Sequence, residues 1–443
     1  MTSSFSSQSL RGAFVAVTSL FFMWGFITVL VDALIPRLKD VFELTFLQAG
    51  LVQFAWFAAY GLLSVPGGNL ISRIGYQRGI LVGLATAGLG CLLFYPAAAT
   101  RLYPLFLLAL FVVAGGITVL QVAANPYISV LGPEDSASAR LNLSQAFNSF
   151  GTTLAPMVAA SFLLGDQILS ADAISALSDA DRLAYYANEA SAVQVPFVLL
   201  ALAFFALAVA VGLVSLPKIL GETTDSAASY GAAFQNKKLL FGAIGIFVYV
   251  GAEVALGSYM VNYGLSLDIV DEIKSSALLG GMAGLAATLG GKDLSVLDAK
   301  GVLGALLTFY WGGAMLGRFV GFVLMQRIAA SKLLAVAALL AMSFIGMSVA
   351  SVGVTALLLT LAVGFCNSIM FPTLFTLAIE DLGEAKPQGS GVLCTAIVGG
   401  AFIPPAMGAL VDSLGFGWAF VLPMACYAYI AWYSGRLVPA VEG

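Results

Sequence analysis

Histidine is absent from this sequence of 443 residues, and charge is scarce, with Asp, Glu, Lys and Arg making up only 9% of it. A soluble domain carries about 25% charged residues, so no ordinary water-facing surface can be assembled from this chain. Without histidine the usual base at physiological pH and the commonest metal ligand are missing. The four cysteines, Cys91, Cys366, Cys394 and Cys426, lie far apart inside apolar runs. They form no CxxC pair, which argues against both a metal site of familiar spacing and a disulfide framework. The 19 Lys and Arg against 23 Asp and Glu leave a net charge of −4, so no basic footprint for nucleic acid exists. What fills the chain is apolar: 60% of residues are hydrophobic and mean hydropathy is +0.99. Such a composition belongs to an integral membrane protein embedded in a lipid bilayer.

A helical span needs about 20 mostly apolar residues to cross roughly 30 Å of hydrocarbon. The sequence predicts spans near 12–36, 47–72, 77–97, 103–130, 138–163 and 192–215, then near 238–264, 300–326, 332–350, 354–378, 388–412 and 416–436. The expectation is an all-α protein of about twelve transmembrane helices; a barrel of ~10-residue alternating strands fits these uniform runs poorly. The first run follows Arg11, is too long for a signal-peptide core and lacks a small-residue cleavage site, so it reads as a retained span. Residues 216–236, with Pro217, Lys218 and GETTDSAAS, read as a cytoplasmic linker between an N-terminal bundle, 1–215, and a C-terminal bundle, 237–443. Residues 265–299 read as an amphipathic loop on the outer face. Lys and Arg favour the loops that are inner when the N-terminus is cytoplasmic, which puts both termini inside. Short loops and a Gly-, Ala- and Leu-rich composition suggest a bacterial inner membrane.

Self-similarity across the linker supports two pseudo-symmetric halves. Gly68-Asn-Leu-Ile-Ser-Arg73-Ile resembles Gly321-Phe-Val-Leu-Met-Gln-Arg327-Ile, and Asn125-Pro126 with Phe150-Gly151 and Pro156 resembles Phe371-Pro372 with Gly399-Gly400 and Pro404-Pro405. Both matches are separated by about half the chain. Six plus six helices in parallel halves is the major facilitator arrangement.

Polar residues inside the spans are the candidate functional groups, because an acidic group at mid-span costs about 2.5–3.5 kcal/mol and should face a cavity. Asp32 lies in the first span, although Pro36, Arg37 and Lys39 nearby also allow an outer-end carboxylate. Glu253 lies deep in the seventh, with Tyr249 one turn away on the same face; it could bind hydroxyls, carry a cation or tie helices together. Gln121 and Asn125 share a face of the fourth span, and Gln145 and Asn148 share one of the fifth. Amides offer both donors and acceptors, which suits the hydroxyls of a neutral sugar; interhelical bonding is the competing use. Gln53 and Asn367 are similar candidates, and Trp56, Tyr60 and Trp311, together with Trp24 and Phe57, could pack on a pyranose face.

The run SLFFMWGFITVLVDALIP, then QAGLVQFAWFAAYG and LQVAANPYISVLGPE with RLNLSQAFNSFGTTLAP, resembles the fucose:proton symporter family of the major facilitator superfamily. VYVGAEVALGSYMVNY and NSIMFPTLFTLAIEDLG with QGSGVLCTAIVGGAFIP are similar to its glucose/galactose porter branch. Gly67-Gly68-x-Leu70-x-x-Arg73-x-Gly75-x-x-Arg78 looks like the superfamily's loop motif, with Ser72 in place of its Asp. The resemblance spans the whole chain. It implies a proton-carrying carboxylate at Asp32, presence of Glu253 in this branch, and inner-face gating contacts from Arg73 and Arg78. It also shows departures: Gln121 stands where fucose symporters carry a carboxylate, and Val29 and Val31 replace Asn residues. A mechanism needing both carboxylates of the first half does not transfer.

The expected function is import of a neutral monosaccharide, of glucose or galactose type, by symport through alternating access. The coupling cation is a proton, with sodium as the alternative, and no other cofactor or metal is implied. N-acetylglucosamine, fructose, mannose and fucose remain open as substrates, as does an uncoupled facilitator. A membrane-embedded enzyme would need a catalytic constellation near an interface, and none is present. A monomer is expected.

Overall fold

The structure, a computed structural model, describes residues 7–42, 46–163, 177–214, 216–217, 230–290 and 293–437; among these, the side chains of 7–9, 31–42, 46–50, 156–163, 179, 183, 186–193 and 232 lie outside the described set. Lipid offers the backbone no hydrogen-bonding partner, so a chain this apolar satisfies its N–H and C=O groups within helices. The described residues contain no strand. The first half holds α1 (Ser7–Phe42), α2 (Phe46–Ile74), α3 (Tyr76–Thr100), α4 (Tyr103–Val130), α5 (Ala137–Leu163) and α6 (Asp179–Leu213). The second holds α7 (Lys237–Ser266), α8 (Ala299–Leu324), α9 (Ala330–Ala350), a two-piece α10 (Gly353–Asn367 and Met370–Ile379), α11 (Lys386–Thr395, running on into Gly399–Ala419) and α12 (Val421–Arg436). Gly415, at φ 77°, interrupts Gly399–Ala419 and separates α11 from α12; a residue without Cβ takes that conformation at little cost.

Nine stretches of the described residues are long and apolar enough to cross a membrane, and the last, Gly353–Ala419, takes in two helices. The helices α5 and α12 fall outside that count for different reasons. α12 is only 16 residues long. α5 carries Asn142, Ser144, Gln145 and Ser149, all buried, because one of its faces meets the other half of the protein rather than lipid.

Within the first half α3 packs on α4 and α6, α1 on α5, and α2 on α4; within the second, α7 packs on α10, α11 and α12. Small residues allow the closest of these approaches. A Cβ on Gly116 would stand 2.6 Å from the Gly83 carbonyl oxygen and 2.7 Å from the Ala87 Cα. Gly116→Val is therefore expected to overpack the α3–α4 seam, at about 1–3 kcal/mol. A lowered melting temperature in a detergent thermal-shift assay checks this; an unchanged one would show that the seam can yield.

Two connections differ from the sequence reading. Residues 265–299 are largely helical rather than a loop, with Val270–Ser275 and Ala277–Leu289 capped at Ser276. The latter run is too short to span a bilayer, but a helix of 10–14 residues can cover a surface, and Leu279, Ala283, Ala286 and Ala287 are buried. Of the linker, 218–229 lies outside the described residues, while Tyr230–Gln235 is helical. The Tyr230 hydroxyl donates to the Val65 carbonyl oxygen, in the second half of α2. Burial pushes this phenol up to about 12, against the opposing effect of a backbone hydrogen bond at Asn69, so it keeps its proton as a donor.

Candidate functional site

Two prolines set the local chemistry of the site. Proline has no N–H, so the carbonyl four residues before it loses its helical partner. Pro126 in α4 frees the Val122 carbonyl, which accepts from the Ser390 hydroxyl of α11 at 2.9 Å. Pro372 frees the Ser368 carbonyl, and α10 is interrupted there, between Asn367 and Met370. The Ser368 oxygen accepts from Arg318 Nε of α8 at 3.1 Å, and the Asn367 oxygen accepts from the Tyr249 hydroxyl at 3.1 Å. Broken helix at this depth is tolerated where protein groups take over the freed backbone.

Beside the break, between the two halves, lies a cavity of about 190 Å³. Trp24, Gln121, Gln145 and Asn148 line it from the first half; Tyr249, Glu253, Arg318 and Phe371, with Val250 and Ile397, line it from the second. Pockets for drug-sized ligands run about 300–1,000 Å³, so this one suits a small solute. Each polar wall group is held by a partner that leaves part of it uncommitted. Gln121 Nε2 donates to the Tyr60 hydroxyl at 2.5 Å, Asn148 Nδ2 donates to the Phe21 carbonyl at 2.9 Å, and Gln145 Nε2 reaches Asn125 Oδ1 at 3.4 Å. The single Tyr249 hydroxyl proton is shared between the Asn367 carbonyl and Glu253 Oε1, the nearer acceptor at 2.7 Å. Behind Glu253, its own carbonyl accepts from the Tyr310 hydroxyl at 3.2 Å, and Asn367 Nδ2 donates to that same hydroxyl at 2.8 Å. Asn367 Oδ1 in turn accepts from Tyr427 at 2.7 Å. The second-half wall is thus a preset hydrogen-bonded frame.

Of the residues singled out from sequence, Gln121, Gln145, Asn148 and Glu253 meet at this cavity. Tyr60 stands directly behind Gln121, and Asn125 directly behind Gln145. Asn367 has both ends of its amide occupied within the frame. Trp56 is half-buried, and Gln53 is exposed. Trp311 is 45% exposed, on the face of α8 that carries Arg318 seven residues on. The backbone of Asp32 belongs to α1, two turns beyond Gly25; its side chain lies outside the described residues. Sequence reasoning misses Arg318, which shows there only as a charge within a span. Two signals point to it: a cation inside an apolar span, and Pro372 four residues past Ser368.

The end of the bundle that carries the linker is closed. There Ser138 and Thr376 share a hydrogen bond of 2.6 Å, Lys386 and Glu134 pair at 3.4 Å, and Asn142 Nδ2 donates to Met325 Sδ at 3.1 Å. Each contact joins the first half to the second. Arg73 and Arg78 are exposed at this end, and neither makes an ion pair among the described residues. A Cβ on Gly68 would stand 2.6 Å from the Tyr230 hydroxyl and 2.7 Å from the Pro387 carbonyl oxygen. Gly68→Val is expected to hold this end apart, raising maleimide labelling of a cysteine placed at Ser138 several-fold and slowing transport. Unchanged labelling would show that α2 and α11 close by another route.

Residues 12–386 match the family model described as Major Facilitator Superfamily. A glucose/galactose transporter of Brucella abortus is 48% identical over 431 residues, 97% of this chain and 95% of that protein. The L-fucose-proton symporter of Escherichia coli is 34% identical over 433 residues, 96% of this chain and 92% of that protein. Among solved structures, a Major Facilitator Superfamily transporter, FucP, in the outward conformation superposes with a TM-score of 0.85 at 31% identity, covering 98% of this chain and 100% of that one.

Proposed function

This chain belongs to the Major Facilitator Superfamily and is a transporter rather than an enzyme, and from that premise we propose that it imports a neutral hexose by cation symport through alternating access. The observation that carries the reading is the cavity between the halves, where three amides, a carboxylate, a guanidinium and the indole of Trp24 converge on space for one small solute. Uncommitted amide and carboxylate oxygens suit hydroxyl donors, and Trp24 offers an apolar face for a pyranose. Glucose and galactose are the first substrates to try, since the relative from Brucella abortus bears those names.

In this reading the linker end is cytoplasmic and closed, so the cavity is presented to the outside. Asp32 carries the coupling cation, a proton in preference to sodium, as in the proton-coupled relative from Escherichia coli. Glu253 accepts a sugar hydroxyl. The protein acts as a monomer in the inner membrane, with both termini inside, and the halves rock about the bound sugar. The test is uptake of radiolabelled glucose and galactose into proteoliposomes under an imposed proton or sodium gradient. Accumulation driven by protons is the expected result. Accumulation that follows sodium would replace the cation, and equilibration without accumulation would make the protein a facilitator.

A further inference from the structure

Arg318 places a charge within the span α8, Ala299–Leu324, where charge is costly and marks function. Its donors are only partly committed. Nε bonds the Ser368 carbonyl freed by Pro372 at 3.1 Å; Nη1 reaches the Gln145 carbonyl at 3.3 Å and the Ser149 hydroxyl. The other terminal nitrogen, Nη2, bonds no protein atom among the described residues, although Arg318 lines the cavity. Glu253 is its counterpart. Oε1 accepts from Tyr249, and Oε2 bonds no protein atom among the described residues. An uncommitted cationic donor and an uncommitted anionic acceptor therefore border the same small space.

We propose that Arg318 is a sugar contact that sets specificity: Nη2 donates to one sugar oxygen while Glu253 Oε2 accepts from a neighbouring hydroxyl. This rests on the hexose reading above and deepens it. A guanidinium fixed on two sides by backbone carbonyls has little freedom left, so the position of its remaining N–H groups discriminates among hydroxyl arrangements. A site that hydrogen-bonds a particular hydroxyl rejects analogues lacking it, because its own buried groups are then left unpaired. Nη1 meanwhile reaches across to α5, so the residue that reads the sugar also touches the opposite half.

A purely structural strut would explain the bonds of Nε and Nη1 without any role for Nη2. The experiment separates the two. Binding of radiolabelled D-glucose and D-galactose to the purified protein is measured with the 2-, 3-, 4- and 6-deoxy analogues as competitors, for wild type, Arg318→Lys and Ser149→Ala. The inference expects Arg318→Lys to weaken binding of the parent sugar about tenfold or more. It also expects one deoxy analogue that binds wild type about tenfold worse than its parent to bind the variant as well as its parent does. Ser149→Ala removes one of the two bonds by which Nη1 reaches α5, leaves the Gln145 carbonyl bond in place, and should keep every deoxy penalty. Unchanged penalties in Arg318→Lys would overturn the inference and leave Arg318 a strut. If Arg318→Lys does not survive purification, Arg318→Gln carries the same comparison. Wild type that binds neither sugar would overturn the hexose reading, and this inference with it.

Discussion

Proteoliposomes containing Asp32→Asn should equilibrate sugar without concentrating it. A membrane potential of 100 mV supplies about 2.3 kcal/mol per charge moved, enough for roughly a fiftyfold gradient. The wild-type protein is expected to approach that ratio, and the variant to fall to about one. Asparagine matches aspartate in size and keeps a hydrogen-bonding oxygen, but it neither ionises nor binds a proton. Sugar-for-sugar exchange needs only the rocking of the halves around a loaded site, so counterflow should persist within a few-fold of wild type. That contrast between lost accumulation and retained exchange is the signature of a coupling site. A variant that accumulates normally would make Asp32 structural and pass the coupling role to Glu253, the carboxylate that lines the cavity.

Much of this architecture was legible because lipid leaves the chain few choices. Apolar runs of helix length had to be helices, and the site could lie only where polar residues interrupted them. Gln145 and Asn148, three apart on α5, and Glu253 with Tyr249, four apart on α7, were readable as pairs on one helix face, and both pairs border the cavity. What the sequence did not carry is which face of each helix turns inward. Gln53 and Trp311 are as polar or aromatic as the residues that line the cavity, yet one is exposed and the other lies 45% exposed outside its lining. Rotation about a helix axis is set by packing against neighbours, which is a tertiary property. The break in α10 is an intermediate case. Pro372 announced a lost hydrogen bond, but only the fold brings Arg318 and Tyr249 to the freed carbonyls. Residues 265–299 differ for a simpler reason: an apolar run too short to span carries no transmembrane signal, yet it is long enough to form a covering helix, Ala277–Leu289.

Glu253→Gln should produce the opposite profile to Asp32→Asn. The carboxylate is held by Tyr249, and the frame of Tyr310, Asn367 and Tyr427 fixes the backbone beneath it. The substituted glutamine would be nearly isosteric, so this frame should survive. A hydrogen bond to a charged group is worth about 1.5–3 kcal/mol, which corresponds to a loss of roughly 10- to 150-fold in affinity when the charge goes. Arg318 would also border the cavity without its anionic counterpart, adding to the loss. The half-saturating sugar concentration should therefore rise by one to two orders of magnitude, while at saturating sugar the accumulation ratio stays near that of wild type. Measuring both quantities in the same proteoliposomes assigns the two carboxylates. If Glu253→Gln instead keeps its half-saturation and loses accumulation, the roles are exchanged: the cation rides on α7, beside the sugar, and α1 supplies only a hydroxyl acceptor. Either outcome follows from one physical distinction: a neutral amide is a weaker acceptor than a carboxylate, so it costs affinity at a sugar contact, and it carries no charge, so it costs accumulation at a coupling site.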